Sequence, residues 1–383
     1  MSGAGRPSEL LSLFSSRQEA SVADLGELVR RESPSAEAEA VSALSAWVAA
    51  RLASAGVPAE RMPFPGRGDG VRARLGPESG GTLLLGHLDT VWPLGTLASI
   101  PFHAAGALAT GPGVFDMKGG VAVLLAVLSA VGEGLVSPAR GVTLLLTTDE
   151  EIGSTASRAA ILEEARRRER VLVLEPSGDG GAAKVARKGA GTATARFRGV
   201  PAHSGLEPEK GASALLELAR YVLRADGLAD RDAGTTVVAT LASAGTARNV
   251  VPPVAEATVD FRFWSAAEGE RLREALGAFV PSDARVSFEV AVDVSRPPME
   301  ATPASLDLYR AARAAAAALG FGLSSARVGG ASDGNLTAAE GIPTLDGLGP
   351  RGGGAHARGE HVEIDDMPRR AALLALLLEE AAA

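Results

Sequence analysis

The apolar residues of this chain follow two different spacings along its length. From residue 8 to residue 54 they recur as they would on helices: Leu10, Leu11 and Phe14, then Leu25, Leu28 and Val29, then an Ala-rich amphipathic stretch over 36–54 that stops at Gly56. Further along they gather into short runs. Thr82–Leu85 ends at Gly86, Val142–Thr147 ends just before Glu150 and Glu151, and Val171–Leu174 ends at Glu175. Runs this short, without polar alternation, predict strands covered on both faces. The segment Val121–Val131 reads as an apolar helix between the first two. Strands alternating with helices predict an α/β domain with a mostly parallel central sheet flanked by helices.

From about residue 183 the texture changes. The pattern predicts a strand over 191–198, a helix over 212–223, strands over 235–241 and 255–263, a helix over 266–279 and a strand over 285–292. That β-α-β-β-α-β order is the ferredoxin-like α+β plan. It predicts an inserted domain over 183–292, interrupting a catalytic domain made of 1–182 and 293–383. The α/β texture resumes after Pro297-Pro298 with an Ala-rich helix over 305–319. No internal repeat is evident, and Gly329-Gly330 and Gly352–Gly354 read as turns near a site.

Composition narrows the function classes. The net charge is −8 and no basic cluster is present, so nucleic acid is not an expected partner. Arg166, Arg167, Arg168 and Arg170 follow Glu163 and Glu164 and read as the charged end of a helix. The absence of cysteine excludes a disulfide scaffold, a thiol nucleophile and thiolate ligands, so any metal must be held by His, Asp and Glu. With aromatics at only 4%, the cores must be built from Ala, Val and Leu. Met1–Pro7 leads into an amphipathic, charged segment, unlike a signal peptide, and no run of about 20 apolar residues stands out. A cytoplasmic protein without membrane association is expected.

The candidate chemistry lies at the strand ends. His87 and Asp89 form an H-x-D pair in which the carboxylate can orient the imidazole of a metal ligand. Asp116 follows Gly111-Pro112-Gly113 in a turn that feeds a helix, and His356 lies in a glycine-rich loop. Taken singly, each has an ordinary reading as a loop residue, a solvated face or a helix cap. Taken together, they converge, because the ligand crevice of an open α/β sheet lies beyond the strand C-termini. Two His and three carboxylates without thiolate suit two divalent ions such as zinc. Ions about 3.5–4 Å apart polarise a carbonyl and acidify a water, and a further carboxylate must take its proton. Glu150 and Glu151 offer a base and a ligand side by side.

These residues belong to motifs that occur in order: GHLDTV, GPGVFDMKGG, TTDEEIGS, LEPS, PAHSG, RNVVP, GGASDGN and GLGPRGGGAHARGEHV. From about Leu25 to the C-terminus the chain resembles the dizinc metallopeptidase family of glutamate carboxypeptidase (the carboxypeptidase G type), succinyl-diaminopimelate desuccinylase, acetylornithine deacetylase and aminoacylase. It is most like the glutamate carboxypeptidase branch. The resemblance implies two divalent ions, zinc first, with Co2+ or Mn2+ as substitutes. His87 and Glu175 would hold one ion, Glu151 and His356 the other, and Asp116 would bridge them through a residue followed by a cis peptide. Glu150 would be the general base and Asp89 the partner of His87. His203 would hold substrate or oxyanion, commonly across the interface of a homodimer formed by the inserted domain. Asn249 and Arg262 match substrate-binding positions, and Arg296 and Lys184 match positions that meet a substrate carboxylate. His356, with Glu360 four residues on, fits the ligand position better than His361, and His103 belongs to no motif. The chain departs from the family at Ser213, where Asn is frequent, and at His361, where Tyr or Cys is usual.

The implied activity is that of an exopeptidase cutting an amide bond beside a free carboxylate and releasing a C-terminal amino acid such as glutamate. An N-acyl-amino-acid deacylase or desuccinylase shares every metal residue. A catalytically inactive binding scaffold and a structural oligomerisation protein are the readings from other classes.

Overall fold

The apolar runs become the middle of a six-stranded sheet. In the computed structural model, which describes residues 5–380, its order is Ala59–Met62, Gly70–Leu75, Val142–Thr147, Thr82–His87, Arg170–Val173, Thr344–Leu345. Thr82–His87 runs parallel to both of its neighbours, and Thr344–Leu345 is parallel to Arg170–Val173. At the other edge, Ala59–Met62 and Gly70–Leu75 pair antiparallel. The sheet is therefore mixed but mostly parallel, as expected: only Gly70–Leu75 runs against the other five strands. Pro63, Pro65, Gly66 and Gly68 interrupt the pattern there and conceal an edge hairpin.

Alternate side chains of the buried strands feed two cores. Leu84, Leu144, Leu146 and Leu172 join the core shared with Leu10, Leu25, Leu28, Leu124 and Leu374. Leu83, Leu85, Leu145, Val171 and Val173 pack on the opposite face with Ile161, Ala165 and Leu336. Burial on both faces is why these strands show no polar alternation. The helix Gly119–Gly132 presses closely on the sheet, and Gly120 permits it: a Cβ there would stand 1.9 Å from the Leu174 carbonyl oxygen. One run passed over in the sequence, Val114–Gly132, is long and apolar enough to cross a membrane, but it is mostly buried as a core helix. Arg166 and Arg167 do end a helix at the surface. Arg168 and Arg170 are instead buried, donating to the carbonyls of Pro77 and Gly80 and of Leu377 and Glu380. Met1–Ala4, the start of the N-terminal stretch read above, lies outside the described residues.

Residues 187–300, with 329–331, form a second compact unit. Its antiparallel sheet has the order Thr236–Ala244, Val254–Phe263, Gly189–Arg198, Ser287–Arg296. The helices Ala214–Asp226 and Ala266–Gly277 complete a β-α-β-β-α-β order. Each is capped by a serine hydroxyl: Ser213 accepts from the Leu216 N–H and Ser265 from the Glu268 N–H. Phe197, Tyr221, Phe279 and Phe288 cluster with ring centroids 5.1–5.9 Å apart, so this core concentrates the chain's few aromatics. The division falls near Arg187 and Glu300 instead of 183 and 292. The strand Ala183–Arg187 pairs with Ser325–Val328, and the last strand of the second unit runs on to Arg296. Lys184 therefore belongs to the first unit and Arg296 to the second.

Candidate metal centre

Three adjacent parallel strands bring their C-terminal ends to one edge of the first unit's sheet. His87 is the last residue of Thr82–His87 and lies opposite Thr147, three residues before Glu150. Val173 lies opposite Leu85, so Glu175, two residues further, comes level with His87. Glu175 Oε1 stands 3.3 Å from His87 Nε2. Glu150 and Glu151 open a short 3-10 turn, Glu150–Ile152, beyond the Val142–Thr147 strand. Ligand atoms of His87, Glu150 and Glu175 lie within 4.8 Å of one another, as do those of His87, Asp116 and Glu151.

Asp116 stands between two imidazoles. Its Oδ1 is 3.4 Å from His87 Nε2 and its Oδ2 is 3.3 Å from His356 Nε2. His356 Nε2 also meets Glu151 Oε2 at 3.2 Å. His356 sits at φ 61°, a left-handed conformation that turns its loop at this residue. The Asp116–Met117 peptide is cis. Gly113, at φ 71°, forms the turn before Asp116, where a Cβ would come 2.6 Å from the Thr90 side chain.

Asp89 does more than face His87. The nearer partner of His87 Nδ1 is the main-chain oxygen of Asp89 at 3.0 Å, with the Asp89 carboxylate at 3.5 Å. That carboxylate accepts from the N–H groups of Glu150 and Glu151, each at 3.2 Å, and from the Ser35 hydroxyl at 2.7 Å. It thus ties the His87 strand end to the turn bearing the two glutamates.

The electrostatics fit a cation. Burial opposes a charged His87, yet Asp116, Asp89 and Glu175 outweigh it and hold its pKa well above the usual value. Asp116 and Glu151 push His356 up to about 10. Burial likewise opposes ionisation of Asp116, but His356 and His87 keep it well below the ordinary carboxylate range. Burial raises Glu151. His87 Nε2 and Glu151 Oε1 are buried without a hydrogen bond. Ligands about 2.0–2.1 Å from a tetrahedral ion are separated by roughly 3.3–3.4 Å. The spacings from Nε2 of His87 and of His356 to their carboxylate neighbours, 3.2–3.4 Å, suit such a group.

Of the other residues singled out in the sequence, Lys184 is buried in the first unit, its main chain paired with Asp346. His203, Asn249, Arg262 and Arg296 lie in the second. The N–H groups of Gly205 and Leu206 donate to His203 Nδ1, each at 3.1 Å, and the Asn249 carbonyl accepts from the Ser204 N–H. Arg262 makes a two-pronged pair with Asp260 at 3.0 and 2.9 Å, and Arg296 is buried. His361 is held by the Gly359 carbonyl, and His103 lies on an edge strand of a small sheet.

Two supports went unread in the sequence. Asp333 accepts from the Thr147 and Ser154 hydroxyls and so braces both ends of the loop carrying Glu150 and Glu151. Ser35 steadies Asp89. Asp333 lies within GGASDGN, which flagged the segment without giving the residue a role; no local pattern marks Ser35.

The profile of peptidase family M20/M25/M40 matches residues 83–380. Carboxypeptidase G2 of Pseudomonas sp. (strain RS-16) is 32% identical over 384 residues, covering 97% of this chain and 92% of that protein. Succinyl-diaminopimelate desuccinylase of Methylobacterium sp. (strain 4-46) is 31% identical over 372 residues, covering 90% of this chain and 92% of that protein. Among solved structures, the aminopeptidase PepT of Bacillus cereus superposes with a TM-score of 0.80 at 23% identity, covering 94% of this chain and 98% of that one. The M20 family metallo-carboxypeptidase Sso-CP2 of Sulfolobus solfataricus gives 0.72 at 16% identity, with coverage of 94% and 98%. Identities this low speak for the fold alone, whereas the profile and the sequence relatives carry the assignment: the chain belongs to peptidase family M20/M25/M40 and is a metal-dependent peptidase or amidohydrolase.

Proposed function

We propose that this chain is a dizinc exopeptidase that hydrolyses an amide bond beside a free carboxylate and releases a C-terminal amino acid such as glutamate. The observation that carries the metal reading is Asp116, with one oxygen 3.4 Å from His87 Nε2 and the other 3.3 Å from His356 Nε2. A carboxylate so placed suits a ligand shared by two ions. His87 and Glu175 would complete one set, and Glu151 and His356 the other. Asp116, Glu150, Glu151 and Glu175 together bring four negative charges, which two divalent ions balance. Nitrogen and oxygen donors without thiolate favour zinc, with cobalt or manganese able to substitute. When bound, the ions supply Lewis acidity toward the scissile carbonyl and acidify the attacking water. Glu150 takes the proton from that water on its carboxylate and returns it to the departing amine nitrogen. Asp89 keeps Glu150 and Glu151 in register through their N–H groups.

The carboxypeptidase reading draws on the likeness to carboxypeptidase G2. Within the second unit, Arg296 is the cationic candidate for the substrate carboxylate, with Asn249 as a polar partner, while Arg262 already pairs with Asp260; Lys184, in the first unit, is a candidate through the resemblance alone. A deacylase or desuccinylase reading is favoured by the 31% identity to the desuccinylase. A panel of dipeptides ending in glutamate, N-acetyl amino acids and N-succinyl amino acids, assayed with zinc and with chelator, separates the two. The expected outcome is fastest turnover of the C-terminal-glutamate peptides and none under chelation. Preference for the acyl amino acids would replace the carboxypeptidase reading, and chelator-resistant turnover would remove the metal reading.

We also assign the second unit to pairing two copies of the chain and to holding substrate. Its edge strand Thr236–Ala244 exposes Val238 and Leu241, and its helix Ala214–Asp226 exposes Leu215, Leu216 and Leu223. An apolar sheet edge beside an apolar helix surface favours a symmetric contact. Because two N–H groups donate to His203 Nδ1, the neutral ring carries its proton on Nε2 and can donate to an oxyanion. His203→Ala is expected to lower kcat more than it raises KM, because such a contact strengthens in the transition state. Sedimentation should give a dimer at micromolar concentration. A monomer with normal turnover would remove the pairing role, and an unaltered kcat in folded His203→Ala would leave His203 as a turn cap.

A further inference from the structure

Glu360 is 2% exposed, and its carboxylate is enclosed by four N–H donors. Oε1 accepts from the main-chain N–H groups of Phe115 and Asp116, each at 2.9 Å. Oε2 accepts from the Gly113 N–H and the Trp92 indole N–H, each also at 2.9 Å. The Gly111 N–H approaches the Glu360 main-chain oxygen at 3.4 Å, so backbone and side chain grip the same turn. Every side-chain partner is a donor, and only a group with two accepting oxygens satisfies all four. A neutral amide would turn an NH2 toward two of them. Glu360 also follows His356 by four residues, in a loop closed by Ala357 N–H to Gly354 O at 2.9 Å and Glu360 N–H to Ala357 O at 3.0 Å.

We propose that Glu360 is a positioning residue that locks the Asp116 turn to the His356 loop, setting the Asp116 carboxylate at the distance where it serves both imidazoles. Three of its four bonds hold the turn from Gly113 to Asp116, and its own loop carries the second imidazole. One buried carboxylate thereby sets two of the metal-facing groups, from segments some 240 residues apart in sequence. The set with the half-exposed His356 depends on this tie through two of its members, Asp116 and His356, whereas His87 ends a strand of the central sheet and its set depends on the tie through the Asp116 turn alone. This inference rests on the two-ion reading.

The test is a chelator-buffered zinc titration of the full-length chain, with stoichiometry and both affinities followed alongside steady-state kinetics. Glu360→Gln is expected to weaken the ion on the His356 side by about 10- to 100-fold, the range for groups that orient metal ligands, and the ion on the His87 side by a smaller factor. At limiting zinc kcat should fall in step with occupancy and recover with excess zinc, while KM stays near the wild-type value. A merely structural role would lower both affinities by the same factor, and the lost turnover would not return with excess zinc. Trp92→Phe removes one donor and is the second variant, expected to weaken the ion on the His356 side by a smaller factor. Unchanged affinities in folded Glu360→Gln, or in Trp92→Phe if Glu360→Gln does not fold, would overturn the proposal. A wild-type chain that takes up no zinc would defeat the two-ion reading and this inference with it.

Discussion

Glu150→Gln is expected to lower kcat by about 100- to 10,000-fold while both ions stay bound, the loss typical for removing a general base. The neighbouring glutamates diverge. Glu151 meets His356 Nε2 at 3.2 Å, in the set we assign to an ion. Glu150 lies within 4.8 Å of the ligand atoms of His87 and Glu175, beside the centre, and is the carboxylate to which we assign the proton of the attacking water. Its N–H is fixed by Asp89 at 3.2 Å, so the amide variant should keep the same main-chain path. Glutamine keeps the shape and loses the proton acceptor, which isolates proton transfer from packing. Metal content after gel filtration and kcat at saturating substrate are the measurements. Loss of an ion would make Glu150 a ligand and shift the base role to another carboxylate.

Asp116→Asn should have the larger effect on metal. If Asp116 serves both ions, its amide analogue removes one negative charge and one shared ligand from each. Affinity should fall for both ions by more than the roughly 10- to 100-fold seen when only an orienting neighbour is lost, and turnover at limiting zinc should disappear. Since the main chain is held by Glu360 through the Asp116 N–H at 2.9 Å, the substitution should leave the turn intact and the melting temperature of the metal-free protein close to wild type. Calorimetric zinc titration reads the outcome directly. Two ions bound with near-native affinity would sink the bridging role, whatever happened to kcat.

Periodicity and turn chemistry alone determined much of what this chain is. Thr82–His87, Val142–Thr147 and Arg170–Val173 were legible because burial on both faces leaves strands without polar alternation, and their ends exposed His87, Glu150, Glu151 and Glu175 as candidates. The β-α-β-β-α-β order of the second unit was legible for the same local reasons, as were the glycines before Asp116. Tertiary structure decided the rest. The sheet places Thr82–His87 between the two later strands, which chain order does not reveal, and an antiparallel hairpin at its edge makes it mixed. The chain path puts Lys184 and Arg296 in different units. The contacts that unite Asp116 with His87 and His356, Asp333 with Thr147, and Glu360 with the Asp116 turn join residues far apart in sequence. No local spacing encodes such pairs, because they form only when separate strand ends and loops are packed against one core and their buried polar groups must find partners there.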